Sequence, residues 1–171
     1  MKKSLLISIS LCAFLFSSCA ALFNNTTNKD DKKTSWLLGA AAGVPMGDAS
    51  DFYSFTYSGS FGYEIKLGDS PFYAGAETGY TRFTGKDTDM GFETDGIGFI
   101  PVKAKIGYNI SESIGLEGGV GYGISADGGE GGSLWNVGLN WYPVSGLRLS
   151  AGYNSFDVDF DSFGIGISRS F

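Results

Sequence analysis

The chain of 171 residues contains no histidine. Imidazole is the side chain best placed to move protons near neutral pH, so a histidine-activated serine or cysteine mechanism is excluded. No paired-carboxylate pattern stands in its place, and the expectation is a protein with no catalytic residue, no metal site and no cofactor. Cysteine is scarce, with only Cys12 and Cys19, both near the N-terminus. Basic charge is in deficit: 12 Lys and Arg against 18 Asp and Glu leave a net charge of −6, which argues against a nucleic-acid partner. Long apolar runs are missing too. The run from Leu5 to Phe16 falls short of the roughly 20 residues a membrane-spanning helix needs.

That run follows Lys2 and Lys3 and fits a secretory signal peptide over residues 1–20. Two readings of its end stand side by side. Ser18-Cys19-Ala20 offers the small residues a signal peptidase site requires. LFSSCA resembles a bacterial lipobox, with Phe16 where Leu is usual, which would make Cys19 the lipidated first residue. Either way Cys19 has no disulfide partner. Residues 21–34, mostly polar and aperiodic, read as a flexible linker.

What is abundant is glycine, 27 residues, and aromatic side chains, 15% of the chain. From residue 35 to 171 apolar residues recur at every second position in eight segments, a strand signal. Trp36, Leu38, Ala40, Ala42 and Val44 mark the first, and Phe55 to Leu67 on odd numbers the second. Phe72, Ala74, Ala76, Thr78 and Tyr80 mark the third, and Ile100, Val102, Ala104, Ile106 and Tyr108 the fourth. Ile114 to Ile124 on even numbers form the fifth, and Trp135, Val137, Leu139 and Trp141 the sixth. Leu147, Leu149, Ala151 and Tyr153 form the seventh, and Phe163, Ile165, Ile167, Arg169 and Phe171 the eighth. The intervening positions carry glycine, serine, asparagine and a few charges.

Alternation alone does not say which face is inside. Three features choose. Aromatics on the apolar face gather at the two strand ends: Trp36, Tyr63, Phe72, Tyr108, Trp141 and Phe171 at one, Phe55, Tyr80, Tyr122, Trp135, Tyr153 and Phe163 at the other. Two such girdles suit two water–lipid interfaces. Short turns (GDSP, NISES, PVSG) alternate with longer or more acidic loops. Eight strands can close a small barrel and leave no backbone group unpaired in lipid. The expected fold is all-β: an eight-stranded antiparallel up-and-down transmembrane β-barrel. Pro101, inside the fourth segment, is expected to mark a bulge near the outer rim.

With Phe171 last and Phe163, Ile165, Gly166 and Ile167 before it, the chain resembles the small eight-stranded outer-membrane β-barrel proteins of Gram-negative bacteria, the OmpA/OmpX-like barrels. FIPVKAKIGY also resembles a strand of that family. In those proteins such an ending resembles the signal read by the barrel-assembly machinery; Arg169 departs from the pattern. The resemblance covers the chain from about residue 35. It implies an outer-membrane location and a monomer. The partners it implies are membrane lipid, lipopolysaccharide, periplasmic chaperones and the assembly machinery. It also implies a non-enzymatic role in envelope integrity or surface properties, because barrel enzymes of the outer membrane use a histidine.

Inward charges form the candidate site. Registers estimated from the turns set Glu77 against Lys103 and Lys105 against Glu117, with Arg148 entering from the seventh strand. The cluster either fills the lumen with mutually neutralised charge or gates a narrow path. The outer loops are acidic, from Asp48 to Asp161, against Lys86. Asp157, Asp159 and Asp161 begin like a calcium loop, but Ser162 and Ser168 stand where Gly and Glu belong. Carboxylates bridged by cations to lipopolysaccharide are the looser expectation. A surface adhesin or receptor is the alternative, with Met90 and Phe92 as anchors in the longest loop.

Overall fold

The computed structural model describes residues 34–86, 94–156 and 160–171. Eight strands follow one another: β1 (Thr34–Met46), β2 (Tyr53–Lys66), β3 (Phe72–Gly85), β4 (Ile97–Asn109), β5 (Ile114–Ser125), β6 (Gly132–Val144), β7 (Leu147–Phe156) and β8 (Phe160–Ser170). A four-residue helix, α1 (Ala49–Phe52), interrupts the loop between β1 and β2 and has no counterpart in the sequence pattern. Each strand pairs antiparallel with its neighbours in the chain, and β1 pairs with β8. The barrel is closed, and its topology is up-and-down.

Closure satisfies the backbone of the terminal strands. Ala40 faces Ile167 and Ala42 faces Ile165 across the seam. Below them Trp36 and Phe171 exchange backbone hydrogen bonds of 3.1 and 3.0 Å. At the end that holds the chain's terminal strand ends, connections are tight. Gly68 and Gly146 turn the chain with φ of +64° and +76°, a region glycine enters without steric cost.

The alternation resolves as apolar side outward. Leu38, Phe61, Val102, Ile106, Val120, Val137 and Ile165 are all exposed. Alternate positions turn into the lumen, where Glu64, Lys105, Asn140 and Arg148 are buried. Charge inside and hydrocarbon outside is the reverse of a protein folded in water, and it is the distribution a bilayer selects. Girdle side chains pack in pairs across neighbouring strands. Trp36 lies 4.6 Å from Tyr63, Phe72 lies 4.9 Å from Tyr108, and Trp135 lies 5.3 Å from Tyr153, between ring centroids.

The bulge expected at Pro101 is absent. Thr78 faces Val102 and Thr81 faces Phe99, the same register on both sides of the proline. The β3–β4 ladder lapses between those pairs, so the missing N–H costs ladder contacts without inserting a residue. Register shifts among the described residues fall elsewhere, between Tyr53 and Phe55 in β2 and between Trp141 and Val144 in β6.

Candidate functional site: the barrel lumen

The lumen has three storeys. The lowest, nearest the tight turns, is an ion-pair network. Glu77 and Lys103 are direct cross-strand partners on β3 and β4, with Nζ 2.9 Å from Oε1. Lys105, two residues on, projects from the same face and reaches three carboxylates: Glu64 at 2.8 Å, Glu77 at 3.1 Å and Glu117 at 3.6 Å. The expected register of Lys105 against Glu117 is corrected. Lys105 faces Gly119 and Glu117 faces Gly107. The turn after β4 takes up two residues more than estimated, which keeps both charges on the lumen face, and they meet diagonally through their long side chains.

Arg148 of β7 completes the network. Its guanidinium forks onto Glu64, Nη1 to Oε1 at 2.8 Å and Nη2 to Oε2 at 2.6 Å, and Nη1 also reaches Glu117 at 3.1 Å. Planar Arg suits this two-point recognition where Lys does not. The guanidinium is also flanked by the rings of Tyr73 and Tyr142, at 5.5 and 5.4 Å. Tyr73 donates to Glu117 at 3.0 Å and accepts from Asn140 at 3.2 Å. Three carboxylates meet three cations, so the network is neutral as a whole.

Glu64, Tyr73 and Asn140 were not among the expected charge cluster. The signal was present for each. Glu64 lies one residue from Tyr63 and Ile65, and Tyr73 one from Phe72 and Ala74, so period two alone puts both on the lumen face. What the sequence hides is that strand tilt lets β2 and β7 side chains meet across the barrel.

The middle storey is a cavity of about 150 Å³. Its wall includes Thr56, Ser58, Ser60, Thr81, Asn136 and Asn154. Asn136 Oδ1 is buried with no partner among the described residues. A polar space of this size suits water.

The upper storey reverses the chemistry. Phe83, Phe99, Leu134 and Phe156 are buried in a compact cluster, flanked by Tyr53, Ile97 and Phe160. Phe83 is 0% exposed. Its ring meets Phe99, Phe156 and Phe160 edge-on at 6.1, 6.1 and 5.6 Å. Edge-to-face contact is the favourable arrangement for such rings. Sequence reasoning expected a polar inner face throughout and missed this core, although parity puts Phe83 with Glu77, and Phe99 with Lys103.

Above the core, Asp127 ties the β5–β6 loop to the wall. It accepts from Arg82 at 3.0 and 3.1 Å and from the Gly98 amide at 2.6 Å. That amide and the guanidinium hold its carboxyl below the usual aspartate range. Asp127 is therefore a latch and not a free loop-tip charge, and Arg82 adds a second base to the outer end beside Lys86. Among the described residues no three Asp, Glu or Cys side chains converge as a metal would require. Cys19, Met90, Phe92, Asp157 and Asp159 lie outside the described residues.

No family profile and no curated protein matches the chain. Its fold matches solved structures. A de novo designed transmembrane β-barrel is 15% identical with a TM-score of 0.57, over 84% of this chain and 100% of that one. The outer-membrane protein Ail of Yersinia pestis, in a phospholipid bilayer nanodisc, is 17% identical with a TM-score of 0.56, over 82% and 100%. Neisserial surface protein A is 16% identical with a TM-score of 0.51, over 80% and 97%. At such identities the likeness is one of fold: the chain has the architecture of an eight-stranded transmembrane barrel.

Proposed function

We propose that this chain is an integral outer-membrane barrel with a non-enzymatic role, contributing to envelope integrity and to the properties of the cell surface. The observation that carries the reading is the lumen, filled by a neutral ion-pair network at one end and a packed aromatic core at the other. Such a barrel spans a membrane without offering a route through it. The lack of histidine, together with fold neighbours that are surface and outer-membrane proteins, supports a role without catalysis. On this reading its partners are lipid, lipopolysaccharide and, during biogenesis, chaperones and an assembly machinery that engages the Phe171 strand. It works as a single copy after cleavage of its signal peptide.

The experiment is electrophoresis of outer-membrane fractions with and without boiling, followed by reconstitution into planar bilayers. A heat-dependent mobility shift without steady conductance is expected. Steady ion current through the unmodified barrel would overturn the closed-wall reading and restore the gated path. A soluble protein with no shift would overturn the membrane assignment itself.

The second reading, a surface receptor, draws on α1, where Phe52 is 54% exposed beyond the girdle. One of the Ail structures was solved in complex with a heparin analogue. The described outer loops here carry Asp48, Asp51, Asp95 and Glu130, a charge that favours a basic partner over a sulfated one. Replacing residues 84–96 by Gly and Ser should leave the barrel folded and abolish binding to cells if this reading holds.

A further inference from the structure

The membership of the ion-pair network is uneven around the ring. Glu64 comes from β2, Tyr73 and Glu77 from β3, Lys103 and Lys105 from β4, Glu117 from β5, Asn140 and Tyr142 from β6, and Arg148 from β7. The two terminal strands contribute no member. On their lumen faces β1 carries Ser35, Leu37, Gly39, Ala41, Gly43 and Pro45, and β8 carries Ser162, Gly164, Gly166, Ser168 and Ser170 below Phe160. Yet β1 and β8 form the seam that closes the barrel. Inside, the seam has no long side chain to tie one strand to another. At Gly43 and Gly164 the two backbones approach so closely that a Cβ on Gly43 would lie 2.6 Å from the Phe163 carbonyl oxygen.

The strands flanking the seam are β2 and β7. Around the barrel wall the short way from one to the other runs through β1 and β8. Arg148 and Glu64 make that span inside the lumen, with the closest pair of contacts in the network, 2.6 and 2.8 Å. Arg148 lies on the rung Arg148, Ser168, Gly39, Ser60, which crosses the seam. We infer that the Arg148–Glu64 fork is a clasp: it holds β7 to β2 from within and so keeps the β1–β8 seam shut, a task the small residues of the seam leave to their neighbours. The other ion pairs brace strands on the side of the barrel away from the seam. Glu77 with Lys103 ties β3 to β4, and Lys105 with Glu117 ties β4 to β5. Lys105 with Glu64 ties β4 to β2 and Arg148 with Glu117 ties β7 to β5, both away from the seam. Of these pairs the fork alone spans β8 and β1, where the chain itself supplies no hairpin.

The inference concerns closure and holds whatever the barrel does in the cell. It is tested by amide hydrogen exchange on the refolded full barrel in detergent, which reports opening strand by strand. The seam amides of Ala40, Ala42, Ile165 and Ile167 are compared with Ala104 and Val120 of β4 and β5. In E64Q, exchange at the seam should rise at least tenfold relative to β4–β5. R148K keeps the charge but loses the fork, and should show the same pattern to a smaller degree; it decides the matter if E64Q does not fold. E77Q removes an ion pair of the same network without touching the clasp, and should leave the ratio of seam to β4–β5 exchange unchanged. Loosening spread evenly over all strands in both E64Q and R148K, or a seam that exchanges as in the unaltered protein, would overturn the clasp and leave a network that only fills space.

Discussion

Phe83 shows what a single side chain can carry in this lumen. It is wholly buried, and every ring around it comes from another strand. Truncating a buried Phe to Ala typically costs about 3–5 kcal/mol, from lost transfer energy and the cavity left behind. Phe83→Ala should lower the unfolding free energy in urea by that order, while Phe163→Ala on the lipid face should cost clearly less. Equal costs would mean the upper storey is loosely packed. Asp127 supports a prediction in pH. Its carboxyl titrates below the ordinary value of about 3.9 because the Gly98 amide and Arg82 favour its charged form. A depressed acid adds stability above the unfolded value and loses it as pH falls through the folded one. The β5–β6 loop should therefore stay latched at pH 5 and release only below about pH 4. Exchange of the Gly98 and Ala126 amides across that range reads the release. Asp127→Asn should abolish the pH dependence; an identical acid transition in the variant would assign it to another group. Gly107 is a third such point. A Cβ there would run into the Tyr73 ring, so the larger residue would displace the ring from Glu117 and Asn140.

The hairpin of β3 and β4 is the element whose pairing can be measured directly. Glu77 and Lys103 face each other, and a double-mutant cycle of their alanine variants should give a coupling of about 1 kcal/mol or more. Additive effects would show that Lys105, also 3.1 Å from Glu77, takes over when Lys103 is removed. How much of this was legible varies with the range of the interaction. Strand number and the outward face of each strand follow from period two, and the Glu77–Lys103 register from centring one hairpin on its connecting loop, both local. The clustering of Lys103, Lys105, Glu77, Glu117 and Arg148 was visible as inward charge in need of partners. The fork onto Glu64 was not, because β2 and β7 are joined only through tilt and closure, quantities that no local pattern records. Phe83, Phe99 and Phe156 sat at strand ends on the polar parity, outside both apolar-face girdles. Their inward turn depends on how the barrel mouth fills. The steady register at Pro101 was hidden for a similar reason: a proline announces a missing donor, and whether the strand bulges or merely skips rungs is settled by its neighbours.

Taken as one body, the barrel carries its own measure of the membrane it suits. On β3 the girdle residues Phe72 and Tyr80 lie eight positions apart. At about 3.3 Å per residue the strand covers roughly 26 Å between them. A tilt near 40°, usual for such barrels, reduces this to about 20 Å along the membrane normal. The interval recurs between Phe55 and Tyr63 on β2 and between Phe163 of β8 and Phe171 just past its end. A belt of that height is short for an average bilayer of about 30 Å and close to the thinner outer membrane. Mismatch costs fractions of a kcal/mol per ångström, so a gap of several ångströms should show in stability. The refolded barrel should unfold at higher urea in dilauroyl than in dioleoyl phosphatidylcholine vesicles. It should also insert faster in the thinner lipid, where less bilayer must be deformed around the forming belt. Replacing Tyr80 and Tyr122 by Leu would extend the apolar surface past the upper girdle and should narrow the difference between the two lipids. A barrel most stable in the thicker bilayer would mean that its apolar height runs beyond the aromatic rings, up to Met46 and the exposed Phe52 of α1, and that those residues sit in lipid and not in water.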